Sequence, residues 1–172
     1  MKTTIYRITI SLLSALLLAS CMDLNEMSLV MKDYQMPEVS ASDAVDLSDS
    51  GTANSYIVSK AGAYRISPVK GNSSESVGQV ASATVLWESF GTGDKPARGE
   101  LIKAVKYQDK SIYFLTGSQF KEGNAVIAAK DESGRILWSW HIWMTDTPDE
   151  QVYNNDAGTM MDRNLGATSA QP

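Results

Sequence analysis

A single histidine, His141, serves the whole chain. It lies in the run ILWSWHIWM, residues 136–144, whose alternating pattern reads as a β-strand with side chains on opposite faces at period two. Ser139, His141 and Trp143 share one face of that strand with Leu137. A hydroxyl, an imidazole and an indole in a row suggest three chemistries. Acyl transfer needs the imidazole as base to a nucleophile, and no nucleophile-elbow motif accompanies it. Metal binding through nitrogen or sulfur needs a second imidazole or a thiolate, and the only cysteine is Cys21. Sugar binding needs an exposed indole for the apolar face of the ring and polar groups for its hydroxyls. The candidate ligand or partner contacts are therefore Trp143, His141 and Ser139, followed by Trp87 at a strand end before a glycine-rich loop. The competing expectation is that Trp138 and Trp140 are core and that a neighbouring loop or domain covers Trp143, since large aromatics are highly buried on average.

The carboxylates offer less. Asp146, Asp149, Glu150, Asp156 and Asp162 could give oxygen ligands to calcium, but their spacing does not match a calcium-binding EF-hand loop. A solvated acidic loop is the expected reading, and neither metal nor cofactor is assigned. Paired carboxylates acting on a glycoside would have to face one another across a cleft, which spacing alone does not establish. The expectation is a non-catalytic protein. Net charge is -5, and Lys103, Lys106 and Lys110 are dispersed. Without a basic patch to meet phosphates, nucleic acid is not an expected partner.

The elements that must carry these residues are strands. Residues 123–130 and 136–144 flank the polar stretch DESG and read as a hairpin. On its second arm, Ile136, Trp138, Trp140, Ile142 and Met144 form an apolar face. The first arm is rich in alanine, which leaves room for indoles in a packed interior. Residues 52–59 read as a strand, and 63–69 as its return arm after the turn Lys60-Ala61-Gly62. Further strands are expected over 80–88, 101–107 and 111–115, with a last short one within 160–165 and a loose end over 166–172. About seven strands separated by turn signals predict an all-β, antiparallel β-sandwich, with a barrel as the alternative. The chain has 172 residues, is 43% hydrophobic and 20% charged, and is long enough for one core.

The amino terminus is organised differently. Lys2 and Arg7 precede an apolar run, 8–19, that is too short to span a bilayer. It ends in Leu18-Ala19-Ser20-Cys21, which resembles the lipobox of bacterial lipoproteins. That resemblance implies cleavage after residue 20 and lipid attachment at Cys21. Several acyl chains on one residue anchor firmly, at about 0.8 kcal/mol per buried CH₂. The expected organisation is a signal peptide over 1–20, a lipid-anchored flexible tether over 21–51, the sandwich over 52–146, and an irregular segment over 147–172. Within the tether, 27–31 is the most apolar stretch.

Three blocks carry a wider resemblance: ANSYIVSKAGAYRI, GNAVIAAKDESGRILWSWHIWMTD and MMDRNLGATSA. They resemble segments of fimbrillin-like, or "major paralogous domain", surface lipoproteins of gut-type Gram-negative bacteria. The most specific stretches are 136–146 and 161–167. The resemblance implies display on the outer membrane, adhesion or fimbria-associated roles, and no catalytic residues. In that family the DRNLGA block leads into a further domain, so this chain is expected to be the amino-terminal part of a longer architecture. The expected partners are the membrane through Cys21, and other surface or fimbrial proteins or glycans.

Three readings follow: an adhesion or fimbria-associated lipoprotein, a surface glycan-binding module, and a fragment of a larger surface protein. An exposed Trp143 platform would favour the second. A groove or open edge accepting residues 22–51 of another copy would favour assembly. An uncovered apolar patch near 160–165 would favour a missing domain.

Overall fold

In the computed structural model, which describes residues 42–170, ten strands are present and no helix is found among the described residues. They are β1 (Val45–Asp46), β2 (Ser55–Val58), β3 (Ala63–Ile66), β4 (Ser82–Ser89), β5 (Ile102–Gln108), β6 (Ser111–Thr116), β7 (Gly123–Lys130), β8 (Ile136–Met144), β9 (Glu150–Val152) and β10 (Thr159–Met161). Residues 1–20, Cys21 and the apolar stretch 27–31 lie outside the described residues.

Two four-stranded sheets close on one core. The first has the order β1-β3-β6-β5 and the second β2-β8-β7-β4. Tyr64, Ile66, Val105, Ile112 and Phe114 face inward from the first sheet. Tyr56, Val58, Ala125, Ile127, Trp140, Ile142 and Met144 meet them from the second. Tyr64 and Phe114 stack with ring centroids 5.5 Å apart. The protein is thus an all-β, sandwich-like fold, as its alternating patterns predict.

The central hairpin forms as expected. β7 and β8 pair antiparallel from Gly123↔Met144 to Lys130↔Ile136. The turn is built on Asp131, whose Oδ1 accepts from the Ser133 and Arg135 main-chain N–H groups, each at 3.0 Å, and from Ser133 Oγ at 2.6 Å. Gly134 takes the left-handed backbone (φ 81°) that the turn requires. Trp140, Ile142 and Met144 are buried, and Trp138 packs at the edge of the core. Ile136 departs from the expected apolar face, being 49% exposed. The ladder shifts register between Ala129 and Lys130, and Ile136 lies past that shift at the turn end of the sheet.

Two expectations are corrected. The strands at 55–58 and 63–66 are not the arms of one hairpin. β2 pairs parallel with β8, while β3 pairs antiparallel with β6 in the opposite sheet. Both strands bury every second residue. The turn at 60–62 therefore works as an arch that sets Tyr56 and Val58 against Tyr64 and Ile66 across the core. Gly62 is pinned to the first sheet, its N–H donating to Thr116 Oγ1 at 2.9 Å. With β1 also pairing parallel to β3, both sheets are mixed rather than purely antiparallel. The second correction concerns the carboxyl end. Residues 166 and 167 are not loose but are hydrogen-bonded to the sandwich.

Candidate functional site

The outer face of the second sheet carries every ligand-contact candidate. Its residues form rows across the strands. Ser55, His141, Val126 and Trp87 share one row, and Ile57, Trp143, Asn124 and Ser89 the next. Ser139 pairs with Ala128 in the row beyond, which Thr84 completes. The structure thus brings Trp87 onto the same face as His141, two strands away. Strands lie ~4.8 Å apart, so the two residues are separated by roughly 10 Å of sheet with Val126 between them.

Residues 162–167 lie as a strap over one end of this face. The Trp143 indole is fully buried, and its Nε1–H donates to the Ala167 carbonyl at 2.9 Å. Asn124 Nδ2 donates to the Gly166 carbonyl at 2.9 Å. With the amide so oriented, Asn124 Oδ1 faces His141 Nε2 at 2.8 Å. An amide oxygen only accepts, so Nε2 carries the hydrogen. Nδ1 is then left to accept from Ser55 Oγ at 2.8 Å. The imidazole is neutral in this arrangement, and burial pushes its pKa below the ordinary value. Gly166 fits because it has no side chain: its φ is +88°, and an added Cβ would stand 3.1 Å from Asn124 Oδ1.

The strap is anchored at its start by Arg163, whose side chain is 7% exposed. Its Nε and Nη2 donate to the two Asp162 oxygens at 2.8 and 2.9 Å, and Nη1 meets Asp146 and, at 3.3 Å, Thr145 Oγ1. The Arg163 bonds hold the Asp162 carboxyl below the usual carboxylate range. Asp146 and Asp162, two of the carboxylates considered for calcium, therefore face a guanidinium. Among the described residues, no three His, Cys, Asp or Glu side chains gather to hold a metal ion.

Ser55, His141 and Asn124 have the hydrogen-bond order of nucleophile, base and orienting group. The last member, however, ends on the strap's own backbone, so the trio works as a latch on residue 166. Ser55 and Asn124 were not singled out by sequence. Asn124 is the one polar residue of β7 (GNAVIAAK) before its terminal Lys130, and that is the available signal.

The second aromatic is placed differently. Trp87 follows a bulge in β4, where the register shifts between Val85 and Trp87. Consecutive Leu86 and Trp87 are both exposed, Trp87 to 48%. Among the described residues, β4 is one edge strand of its sheet and β2 the other. A cleft of about 440 Å³ opens at β4, lined by Val85, Leu86, Trp87, Glu88, Pro96 and Arg98. The Glu88 carboxylate is committed to backbone, accepting from Gly99, Leu101 and Ile102 at 3.0, 3.1 and 2.7 Å. Those bonds tie this edge to the start of β5 in the other sheet.

Between the end of β8 and the strap, β9 and β10 pair as an antiparallel arm, with every strand residue exposed. Val152 is 73% and Met160 53% exposed, and Tyr153 and Met161 are exposed beside them. Residues 147–161 include Asp149, Glu150 and Asp156 and no lysine or arginine. The arm closes at its base through Asp162 N–H to the Asp149 carbonyl, 2.9 Å.

No protein-family profile, curated protein or solved structure matches the chain.

Proposed function

We propose that this chain is a lipid-anchored protein of the outer membrane, exposed at the cell surface. Its non-catalytic sandwich presents an adhesion or fimbria-associated surface to other proteins. The observation that carries the reading is the β9–β10 arm: a two-stranded unit that shows Val152, Tyr153, Met160 and Met161 to solvent. An isolated two-stranded hairpin is at best marginally stable in water, and exposed apolar clusters mark interaction sites. The face with Ser139, His141 and Trp143 supports a binding role less well, because the strap occupies Trp143 and latches His141. The lipobox-like run ending at Cys21 supports the anchor, and the resemblance of the three sequence blocks supports surface display.

Two experiments test this reading. Cells displaying the wild-type chain are expected to adhere to partner cells or surfaces, and cells displaying Val152→Ser with Met160→Ser to adhere several-fold less. Equal adherence removes the arm from the function. Cys21→Ala is expected to abolish incorporation of labelled palmitate and membrane fractionation. Unchanged labelling removes the anchor.

The second reading is a glycan-binding module. It is favoured by half-exposed Trp87 in its cleft, in place of Trp143. Loss of polysaccharide binding on Trp87→Ala would support it. The third reading, a fragment of a larger surface protein, draws on the uncovered Met160, Met161 and Leu165, which a following domain would bury.

A further inference from the structure

Met144, Met160 and Met161 fall within the described residues, and the fold treats them unequally. Met144 ends β8 inside the core. Met160 and Met161 end β10 and stand about half in water. The register of the arm sets Met160 opposite Gln151 and Met161 opposite Glu150. Successive side chains of a strand point to opposite faces, so the two methionines lie on opposite faces of this ribbon. Met160 shares its face with Tyr153, whose phenol O–H donates to Met160 Sδ at 3.1 Å. Met161 follows two residues after Thr159, the partner of Val152, and so shares the other face with Val152. Each face of the arm therefore owes part of its exposed apolar surface to a thioether. A thioether is an apolar group that a mild oxidant turns, reversibly, into a polar sulfoxide.

We propose that Met160 and Met161 are sites of reversible oxidation by peroxide or hypohalous acid, and that their oxidation switches off the adhesive arm. A lone pair of the thioether sulfur attacks one oxygen of hydrogen peroxide. The S–O bond forms as the O–O bond breaks, and sulfur gives up two electrons to the peroxide. The proton on the transferred oxygen leaves with the departing hydroxide as water. Each sulfoxide sets a dipole and a strong hydrogen-bond acceptor beside Tyr153 or Val152, on a face that had been apolar. A thiol-dependent sulfoxide reductase reverses the step: two thiols become a disulfide, and the oxygen leaves as water. Tyr153 adds a direction. Its hydrogen bond occupies one of the two lone pairs on Met160 Sδ, so the oxidant reaches the other and one sulfoxide epimer is favoured. Met144 is shielded from the same oxidant by the core around it. The proposal rests on the reading of the arm as the working surface, and it adds the regulation of that surface.

The test begins with the full chain in dilute hydrogen peroxide, its methionines followed by peptide mass spectrometry. Met160 and Met161 are expected to gain one oxygen about tenfold or more faster than Met144. Equal rates overturn the site. The Met160 sulfoxide should be cleared chiefly by a reductase specific for one epimer, and Tyr153→Phe should bring the two epimers close to parity. Equal epimers in the wild type overturn the steering by Tyr153. Cells displaying the wild type are expected to adhere several-fold less after peroxide and to recover on treatment with the reductases. Cells displaying Met160→Leu with Met161→Leu should keep their adherence after peroxide, because leucine preserves the apolar surface and offers no sulfur. Adherence lost equally in that variant places the damage elsewhere and overturns the switch. Full adherence of the wild type with both sulfoxides formed overturns it too. The Val152→Ser with Met160→Ser cells separate this proposal from the reading beneath it. If they adhere poorly while the sulfoxides have no effect, the switch falls and the arm remains the adhesive surface. If they adhere fully, the adhesive reading falls and the switch with it.

Discussion

Trp143 and Trp87 stand on the same face of the same sheet, one row apart, with opposite fates. Trp143 is sealed, and its one polar atom is satisfied by a main-chain carbonyl. Trp87 is half in water beside a bulge and a cleft. What separates them is the strap, which arrives from 24 residues downstream to cover the first and leaves the second bare. The comparison teaches that this face is divided into a structural end and an available end. Which tryptophan can act is decided by a segment that is not itself part of the sheet.

The most severe way to test that division is to truncate each indole. Trp143→Ala should cost about 3–5 kcal/mol in denaturant unfolding, because it opens a cavity under the strap and leaves the Ala167 carbonyl without its donor. Trp87→Ala should stay within about 0.5 kcal/mol, as exposed substitutions usually do. Equal costs would erase the distinction between the two ends. A second test sharpens the role of the strap. Gly166→Ala forces a side chain into a left-handed backbone conformation and against Asn124, and should cost about 1–2 kcal/mol. Limited proteolysis should then cut within residues 162–170 faster than in the wild type, and unchanged cleavage would mean the strap does not depend on this fit.

A smaller effect is expected from pH. The folded His141 pKa lies below its ordinary 6.5, so the unfolded chain binds more protons there than the folded one. Stability should therefore be constant above the unfolded value and decline as pH falls below 6.5. Protonation also sets a second donor at Nδ1 against the Ser55 hydroxyl, which must then turn. Urea midpoints at pH 7.5 and 5.5 measure the decline, and His141→Gln should flatten it. A wild type with identical midpoints would leave the latch without a titrating part. The smallest change in this series is Asp162→Asn, which removes one charge from the Arg163 cluster. Its folded pKa is depressed, chiefly by the Arg163 hydrogen bond, so the wild-type contribution is present at neutral pH and disappears in acid, below the ordinary carboxylate range. The variant should therefore differ from wild type at pH 7 and converge with it near pH 2.

The fold was largely legible in the sequence where the information is local. Alternation in β8 placed Trp140, Ile142 and Met144 inward, and the DESG stretch marked the turn. Pairing across distance was not legible. A strand that buries alternate residues looks the same whether its partner lies beside it or across the core, so the arch between β2 and β3 read as a hairpin. The candidate site followed the same rule. Ser139, His141 and Trp143 were placed on one face correctly by period two. Ser139 is exposed, whereas the covering of His141 and Trp143 depends on Gly166 and Ala167, which carry no periodic signal. Trp87 is exposed because a bulge breaks the alternation, and no residue type in that stretch announces a bulge.

The parallel pairing of β2 with β8 has a temporal consequence. Ser55 and His141 are 86 residues apart, yet they are neighbours in the finished sheet. A chain made from its amino end must hold β2 unpaired until nearly the whole sandwich has emerged, and the strap on Trp143 can only follow. Closure of so long a loop slows folding relative to local pairings. During that interval the Tyr56–Val58 edge is open to other chains, so the order of synthesis, rather than the strength of the finished core, sets the period of greatest risk of misassembly.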